Sequence, residues 1–306
     1  MKAFLIKISM LSFSVFASII FVFLNADERT GPFYKRFTSP KQSALILGSS
    51  RAAQGIMPSV INEKLNNNSL YNFAFTYNTS PYGPVYLNSI KRKLNSSTKN
   101  SVFILTVDPW VVSNDSENPN DISQFGENKH FLASKYSFNK NPNFSYLIQD
   151  YDDMYVKILF NFSPYILHDD GWLEVKHKNE FTERQIEEKT ISILKKYSDY
   201  AKLYKLSNTR ITYLGETINF LKQYGKVFIV RLPIDERFLT IEKELMPNFD
   251  DEIVKLSNQT SVNYLNLSNV DLKVEYLDGH HLTSESAYVV SNHIGNWMNE
   301  ILNNNK

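Results

Sequence analysis

Ala44-Leu45-Ile46-Leu47-Gly48-Ser49-Ser50-Arg51 is the stretch whose reading decides the fold of this chain. Four apolar residues run without a polar interruption, then stop at a glycine followed by two serines. A run without alternation fits a strand buried on both faces, and such strands belong to parallel sheets covered by helices. The rest of the chain repeats the pattern. Leu70 to Phe75, Val102 to Val107 and Val227 to Val230 read as further strands, with Val262 to Leu267 a weaker fifth. Between them, Pro58 to Leu65, Pro84 to Leu94, 182 to 206, 209 to 224 and Ser284 to Leu302 read as helices. Strands alternating with helices predict an α/β fold, a flavodoxin-like three-layer α/β/α sandwich around a parallel five-stranded sheet.

In such a sheet the ligand crevice lies beyond the carboxyl ends of the strands. That rule singles out Gly48 to Arg51, Phe75 to Asn78, Asp108 to Trp110, Arg231 to Pro233 and the segment before Asp278. Outside the strand–helix rhythm, three stretches stand apart. Residues 1–24 open with Lys2 and Lys7, then run uncharged and mostly apolar from Ile8 to Leu24. This is at the short end of the roughly 17–25 residues that span a bilayer. A cleaved signal peptide wants small residues before its cut, and Leu24 stands at −3 for a cut after Ala26, so an uncleaved transmembrane anchor is expected. The flanking lysines favour a cytoplasmic N-terminus and a domain outside the cytoplasm, although Arg29, Lys35, Arg36 and Lys41 follow the span. Residues 25–42, with Gly31-Pro32 and Ser39-Pro40, read as a polar stalk. Within the domain at 43–306, the stretch from about 113 to 180 has no clear period and reads as an insertion, either a packed element near the crevice mouth or else a structural cover or disordered excursion.

Composition removes several functions. With 33 Lys+Arg against 32 Asp+Glu, no basic field favours nucleic acid. The chain has no cysteine, which excludes thiol catalysis and thiolate metal sites. No phosphate loop follows the first strand, so no cofactor is expected, and His168-Asp169-Asp170 lacks further ligands at metal spacing.

Serine chemistry remains. A serine becomes a nucleophile when an imidazole takes its proton and a carboxylate orients that imidazole. Of the six histidines (His130, His168, His177, His280, His281, His293), only His280 and His281 follow an acid closely before a helix. In Asp278-Gly279-His280-His281, the three-residue spacing lets the carboxylate reach Nδ1 of His281 and leaves Nε2 facing the crevice. Ser50, at the end of the first strand, is the nucleophile to meet it. The glycine before it permits a tight turn whose amides can face a developing oxyanion. Arg51 and Arg231, at strand ends, read either as holding an anionic substrate group or as members of surface or structural ion pairs, and His280 either as lining the site or as facing solvent.

These pieces resemble the SGNH (GDSL-like) hydrolase superfamily. That family has a Gly-Asp-Ser block after its first strand and an Asp-X-X-His block before its last helix. Gly48-Ser49-Ser50 and Asp278-Gly279-His280-His281 stand in those places, followed by Leu282-Thr283, over residues 43 to about 303. Ser49 replaces the family's Asp. Gly-Ser-Ser and Asp108-Pro109-Trp110 are similar to blocks of the membrane-anchored D-alanyl-transfer proteins, and the branch also resembles alginate-type O-acetyltransferases. The resemblance implies an acyl-enzyme on Ser50, with an oxyanion hole from the amides of Ser50 and Ala74. Ala74 stands where the family has glycine in Asn72-Phe73-Ala74; Asn78 or Asn114 reads either as a further side-chain donor or as a plain loop residue. It implies a substrate-side place for Trp110 beside Arg51, Arg231 and His280. It also implies an acylated envelope saccharide or lipid-linked substrate, and a membrane-bound acyltransferase as a partner. Hydrolysis and transfer share the acyl-enzyme, so both stay open, as does a binding protein on the same fold with a degenerate site.

Overall fold

The computed structural model describes residues 1–66, 69–134, 138–160, 164–176 and 181–304. His177 and parts of the 113–180 stretch lie outside these. The chain opens with α1 (Lys2–Leu24), long and apolar enough to cross a membrane and solvent-exposed along most of its length. A short α2 (Tyr34–Thr38) leads to β1 (Ala44–Leu47), α3 (Ser50–Gly55), α4 (Pro58–Leu65) and β2 (Leu70–Asn72). Then come α5 (Pro84–Lys93), β3 (Ser101–Thr106), a two-residue β4 (Ser113–Asn114), α6 (Phe144–Gln149) and α7 (Val156–Leu159). A small hairpin, β5 (Tyr165–Leu167) and β6 (Leu173–Val175), precedes α8 (Glu183–Ala201), β7 (Lys205–Leu206) and α9 (Asn208–Lys222). The chain closes with β8 (Gly225–Arg231), α10 (Glu236–Leu245), α11 (Phe249–Thr260), β9 (Asn263–Asn266) and α12 (Ser284–Asn303).

The main sheet has five parallel strands in the order β2-β1-β3-β8-β9. This is the flavodoxin-like order, with the first strand in second place. Side chains of a strand alternate between faces, and the two cores divide accordingly. Leu45, Leu47, Phe103, Leu105, Val227 and Ile229 face a layer built with Ile90 of α5, Leu214 and Ile218 of α9 and Ile253 of α11. Ala44, Ile46, Val102, Ile104, Phe228 and Val230 face the opposite layer, made with Ala52 of α3, Ile61 of α4 and Val290, Ile294 and Met298 of α12. Because both faces are covered, these strands carry no polar alternation, which is why they were visible as apolar runs.

Two expectations need correction, and a third stretch divides between the readings left open for it. Residues 25–42 are no polar stalk: Tyr34, Arg36, Phe37 and Thr38 are all buried. The rings of Tyr34 and Phe37 meet Tyr146, and Phe37 also meets Phe131. The aromatic content of Phe33-Tyr34 and Phe37 outweighs the Gly-Pro and Ser-Pro breaks flanking it. The helix expected over 182–206 ends at Ala201, because β7 leaves it to pair antiparallel with β4. Finally, within the described part of the 113–180 stretch the hairpin serves as a cover, while Asn114, Asp115, Glu127 and His130 line a cavity. The hairpin turn lies on the sheet edge, where Asp170 O accepts from Asn72 N at 2.8 Å, and edges left bare invite pairing with other chains.

Candidate active site

At the end of β1 the backbone turns sharply at Gly48, where φ is +142°. An L side chain rarely adopts that angle, and a Cβ there would fall onto Thr106 Oγ1. Ser49 follows in extended conformation as the N-cap of α3, and Ser50 is the first helical residue. Ser49 does not cap the helix with its side chain. Its hydroxyl donates instead to Asp108 Oδ2 at 3.3 Å. The first amides of α3 therefore have no intrahelical acceptor, as at any helix start. Asn72, at the end of β2, clamps α3 from below, its Nδ2 donating to Ala52 O at 2.8 Å and Ile56 O at 3.0 Å.

The loop before α12 supplies the other groups. Gly279, at φ +84°, lets the chain turn so that both following amides reach back to one carboxylate. Asp278 Oδ1 accepts from His280 N at 3.3 Å and His281 N at 3.0 Å. Its Oδ2 stands 2.9 Å from His281 Nδ1, and His281 Nε2 stands 2.9 Å from Ser50 Oγ. A carboxylate that accepts from Nδ1–H leaves Nε2 as the acceptor for the serine hydroxyl. Burial by itself would raise the Asp278 carboxyl, but His281 and His280 beside it hold it well below the ordinary carboxylate range. Ser50 and His281 are only half-buried, so the relay is open at its serine end.

No family model matches the sequence, and no curated protein matches it. Among solved structures, the chain is similar to Est24, a carbohydrate acetylesterase from Sinorhizobium meliloti, at 10% identity and a TM-score of 0.41, covering 85% of this chain and 100% of the other. It is similar to a phospholipase A1 from Streptomyces albidoflavus NA297 at 9% identity and a TM-score of 0.39, covering 84% and 98%. A family two carbohydrate esterase from Clostridium thermocellum gives 9% identity and a TM-score of 0.39, covering 87% of this chain and 65% of the other. Likenesses this remote carry no argument about activity.

Of the remaining sequence candidates, Arg51 and Arg231 take their ion-pair reading and not the substrate one. Arg51 does not face a substrate: it is buried, with Nη1 2.6 Å from Glu242 Oε1 and 3.8 Å from Asp108 Oδ2. Burial would lower its pKa, but those carboxylates raise it and keep it charged. Arg231 pairs with the other oxygen of Glu242 at 2.8 Å and with Asp250 at 2.7 Å. Trp110 is buried as well, its indole N–H donating to Glu242 Oε1 at 3.1 Å. One carboxylate on α10 thus gathers three residues read as substrate contacts. Glu242 carried no sequence signal, because an acid on an amphipathic helix looks like surface.

His280 is buried between the rings of Tyr197 and Phe238, at 5.0 Å and 5.2 Å. Its Nδ1 approaches Asp278 Oδ1 to 3.1 Å without the alignment of a hydrogen bond. Burial, and then the neighbouring His281, push its pKa down to about 4. Ala74 N donates to Asn72 Oδ1 at 3.2 Å, so that amide is already engaged. Asn78 Oδ1 accepts from the Tyr204 hydroxyl at 3.1 Å, and Asn114 Nδ2 donates to Ser116 Oγ at 2.5 Å. Among the described residues, Asp278, His280 and His281 are the one cluster with the makings of a metal site. In this geometry Asp278 Oδ2 meets His281 Nδ1 and His281 Nε2 meets Ser50 Oγ, both at 2.9 Å, so these donors are spent on one another.

Asn78 instead lines a cavity of about 290 Å³ with Tyr77, Asn114, Asp115, Tyr200 and Tyr204. Tyr77 and Asn78 follow β2 and Asn114 and Asp115 follow β3, beyond the carboxyl edge of the sheet, while Tyr200 and Tyr204 come from the end of α8 and the turn after it; neither Ser50 nor His281 lines it. A line of rings joins the two places: His281 to His280 at 3.9 Å, His280 to Tyr197 at 5.0 Å, and Tyr197 to Tyr77 at 6.2 Å.

Proposed function

We propose that this chain is an SGNH-type serine esterase or O-acyltransferase, acting through an acyl-enzyme on an acylated saccharide outside the cytoplasm. The observation that carries the reading is the unbroken relay from Asp278 through His281 to Ser50, with both hydrogen-bond distances at 2.9 Å. Ser50 Oγ attacks the ester carbonyl as His281 Nε2 takes its proton, and Asp278 steadies the imidazolium. The tetrahedral oxyanion meets the Ser50 amide at the start of α3. On collapse His281 returns the proton to the departing alcohol, leaving an acyl group on Ser50. A second hydroxyl, deprotonated by the same imidazole, then attacks that acyl-serine. If the hydroxyl belongs to water the reaction is hydrolysis, and if to a sugar it is transfer. Transfer is favoured by the resemblance of the Gly-Ser-Ser and Asp-Pro-Trp blocks to the anchored transfer proteins, and it calls for a membrane-bound acyltransferase to deliver the acyl group. A saccharide is favoured by the cavity on the same edge. Its tyrosine rings offer apolar faces, and its Asn and Asp groups offer partners for hydroxyls.

Fluorophosphonate labelling of the full chain in detergent tests the reading. Labelling is expected for the native sequence, with loss in Ser50→Ala and at least a hundredfold slowing in His281→Ala. A second reading, a saccharide-binding protein with a degenerate site, is favoured by one observation: the Ala74 amide is already engaged by Asn72. Absence of labelling in folded protein would sink the enzyme and leave that second reading.

A further inference from the structure

Large apolar side chains exposed to solvent are unevenly spread over this molecule. Among the described residues beyond position 24, six of the fifteen lie between positions 144 and 160: Phe144, Ile148, Met154, Tyr155, Val156 and Phe160. The others are scattered from Ile122 to Val289, as single exposed apolar residues normally are. A concentration of this kind marks a surface that is covered in use.

Its position says by what. Phe23, in the last turn of α1, is buried against this segment, its ring 5.2 Å from that of Tyr155 and 6.0 Å from that of Phe144. Arg29, just past the helix, donates to Leu159 O at 3.4 Å. Ile148 stands one turn beyond Phe144 on α6, on the same side of that helix. The exposed apolar residues therefore surround the domain end of the one described helix that is apolar enough to span a bilayer.

We infer that residues 144–160 form an apolar collar that sits in the interface of the bilayer crossed by α1, holding the domain against the lipid. This rests on the reading of α1 as a membrane anchor. The contact is apolar rather than electrostatic, because Asp150, Asp152 and Asp153 stand beside Lys157 in the same segment, so anionic lipid is not required. Tyrosine, with an apolar ring and a polar tip, suits that depth.

The absence of cysteine makes the test direct. Single cysteines replace Ile148, Met154, Phe13 in mid-α1, or Tyr288 on α12, each carrying a bimane label in the full chain. The protein is reconstituted in phosphatidylcholine vesicles containing shallow or deep spin-labelled lipids. Quenching at Ile148→Cys and Met154→Cys by the shallow quencher, several-fold above that at Tyr288→Cys and unchanged in high salt, is expected. Quenching at Phe13→Cys with none at Ile148→Cys or Met154→Cys overturns the collar but keeps the anchor. If Phe13→Cys is not quenched, the anchor itself fails and takes the collar with it. Protection of Ile148→Cys without lipid quenching, accompanied by cross-linking between copies, overturns the collar in favour of a protein interface.

Discussion

At Gly48 the backbone angle and the neighbouring Thr106 leave no space for a side chain, and the next two residues aim Ser50 at His281. Gly48→Ala is expected to destabilise the protein by roughly 2–5 kcal/mol, combining left-handed strain with overpacking. Urea denaturation measures this; a loss below about half a kcal/mol would show that the turn relaxes freely. His280 gives a second expectation. Its folded pKa of about 4 lies below the ordinary value of 6.5. The unfolded chain therefore takes up a proton between those pH values that the folded chain refuses. Stability should fall as pH drops through that window, and His280→Phe should remove that part of the slope. Ser50, Asp278 and His281 could be read from sequence because each sits in a short motif at the end of an element. Arg51, Trp110 and Arg231 could not, because a position at a strand end does not say which way the side chain turns.

Glu242 shows the same limit one level up. On α10 it binds Arg51 behind the proposed nucleophile, Arg231 at the end of β8, and the indole of Trp110. Removing one partner of a buried ionic group strands the others. Glu242→Ala is expected to cost about 3–5 kcal/mol and to slow labelling of Ser50, whereas Glu242→Gln, which keeps part of the hydrogen bonding, should cost less. Equal losses in the two variants would mean that packing, not charge, holds the cluster. Strands β1, β3 and β8 were legible because burial on both faces writes them as apolar runs, whereas β9, at the sheet edge and only partly buried, gave a weaker signal. Helices α10 and α11 were not foreseen. Yet Phe238, Leu239 and Ile241 on α10 and Phe249, Ile253 and Leu256 on α11 recur at helical spacing and are buried, so the signal for both helices was present in the sequence.

Across the whole molecule, the N-terminal segment is part of the packed domain. Phe23, Tyr34 and Phe37 join the core that holds Leu45 and Leu105. The seam they make is closed by a buried cation: Lys93 Nζ donates to Ser39 O at 2.6 Å and Ser39 Oγ at 2.7 Å. Burial lowers its pKa from 10.5 to about 7, and the nearby Arg36 adds to the shift. Since the unfolded chain binds the extra proton, this group's contribution should be most favourable above pH 10.5 and decline as pH falls to 7. Lys93→Met is expected to flatten stability against pH in that window and to raise it near neutrality by a few kcal/mol, on the order of the shift it removes. Thermal denaturation at pH 7 and pH 10 checks the sign. This seam was hidden in the sequence, where two turn signals outweighed three aromatic residues.

The missing stalk also changes how substrate would be met. A catalytic domain on a flexible tether sweeps a volume and samples the space above the surface. Here no slack chain separates Phe23 from the core, so with α1 in a bilayer Ser50 would stay at a constant height. Encounter would then become a search in two dimensions, set by lateral drift in the lipid. Molecules held at that height would be met often, and those floating free would be met rarely.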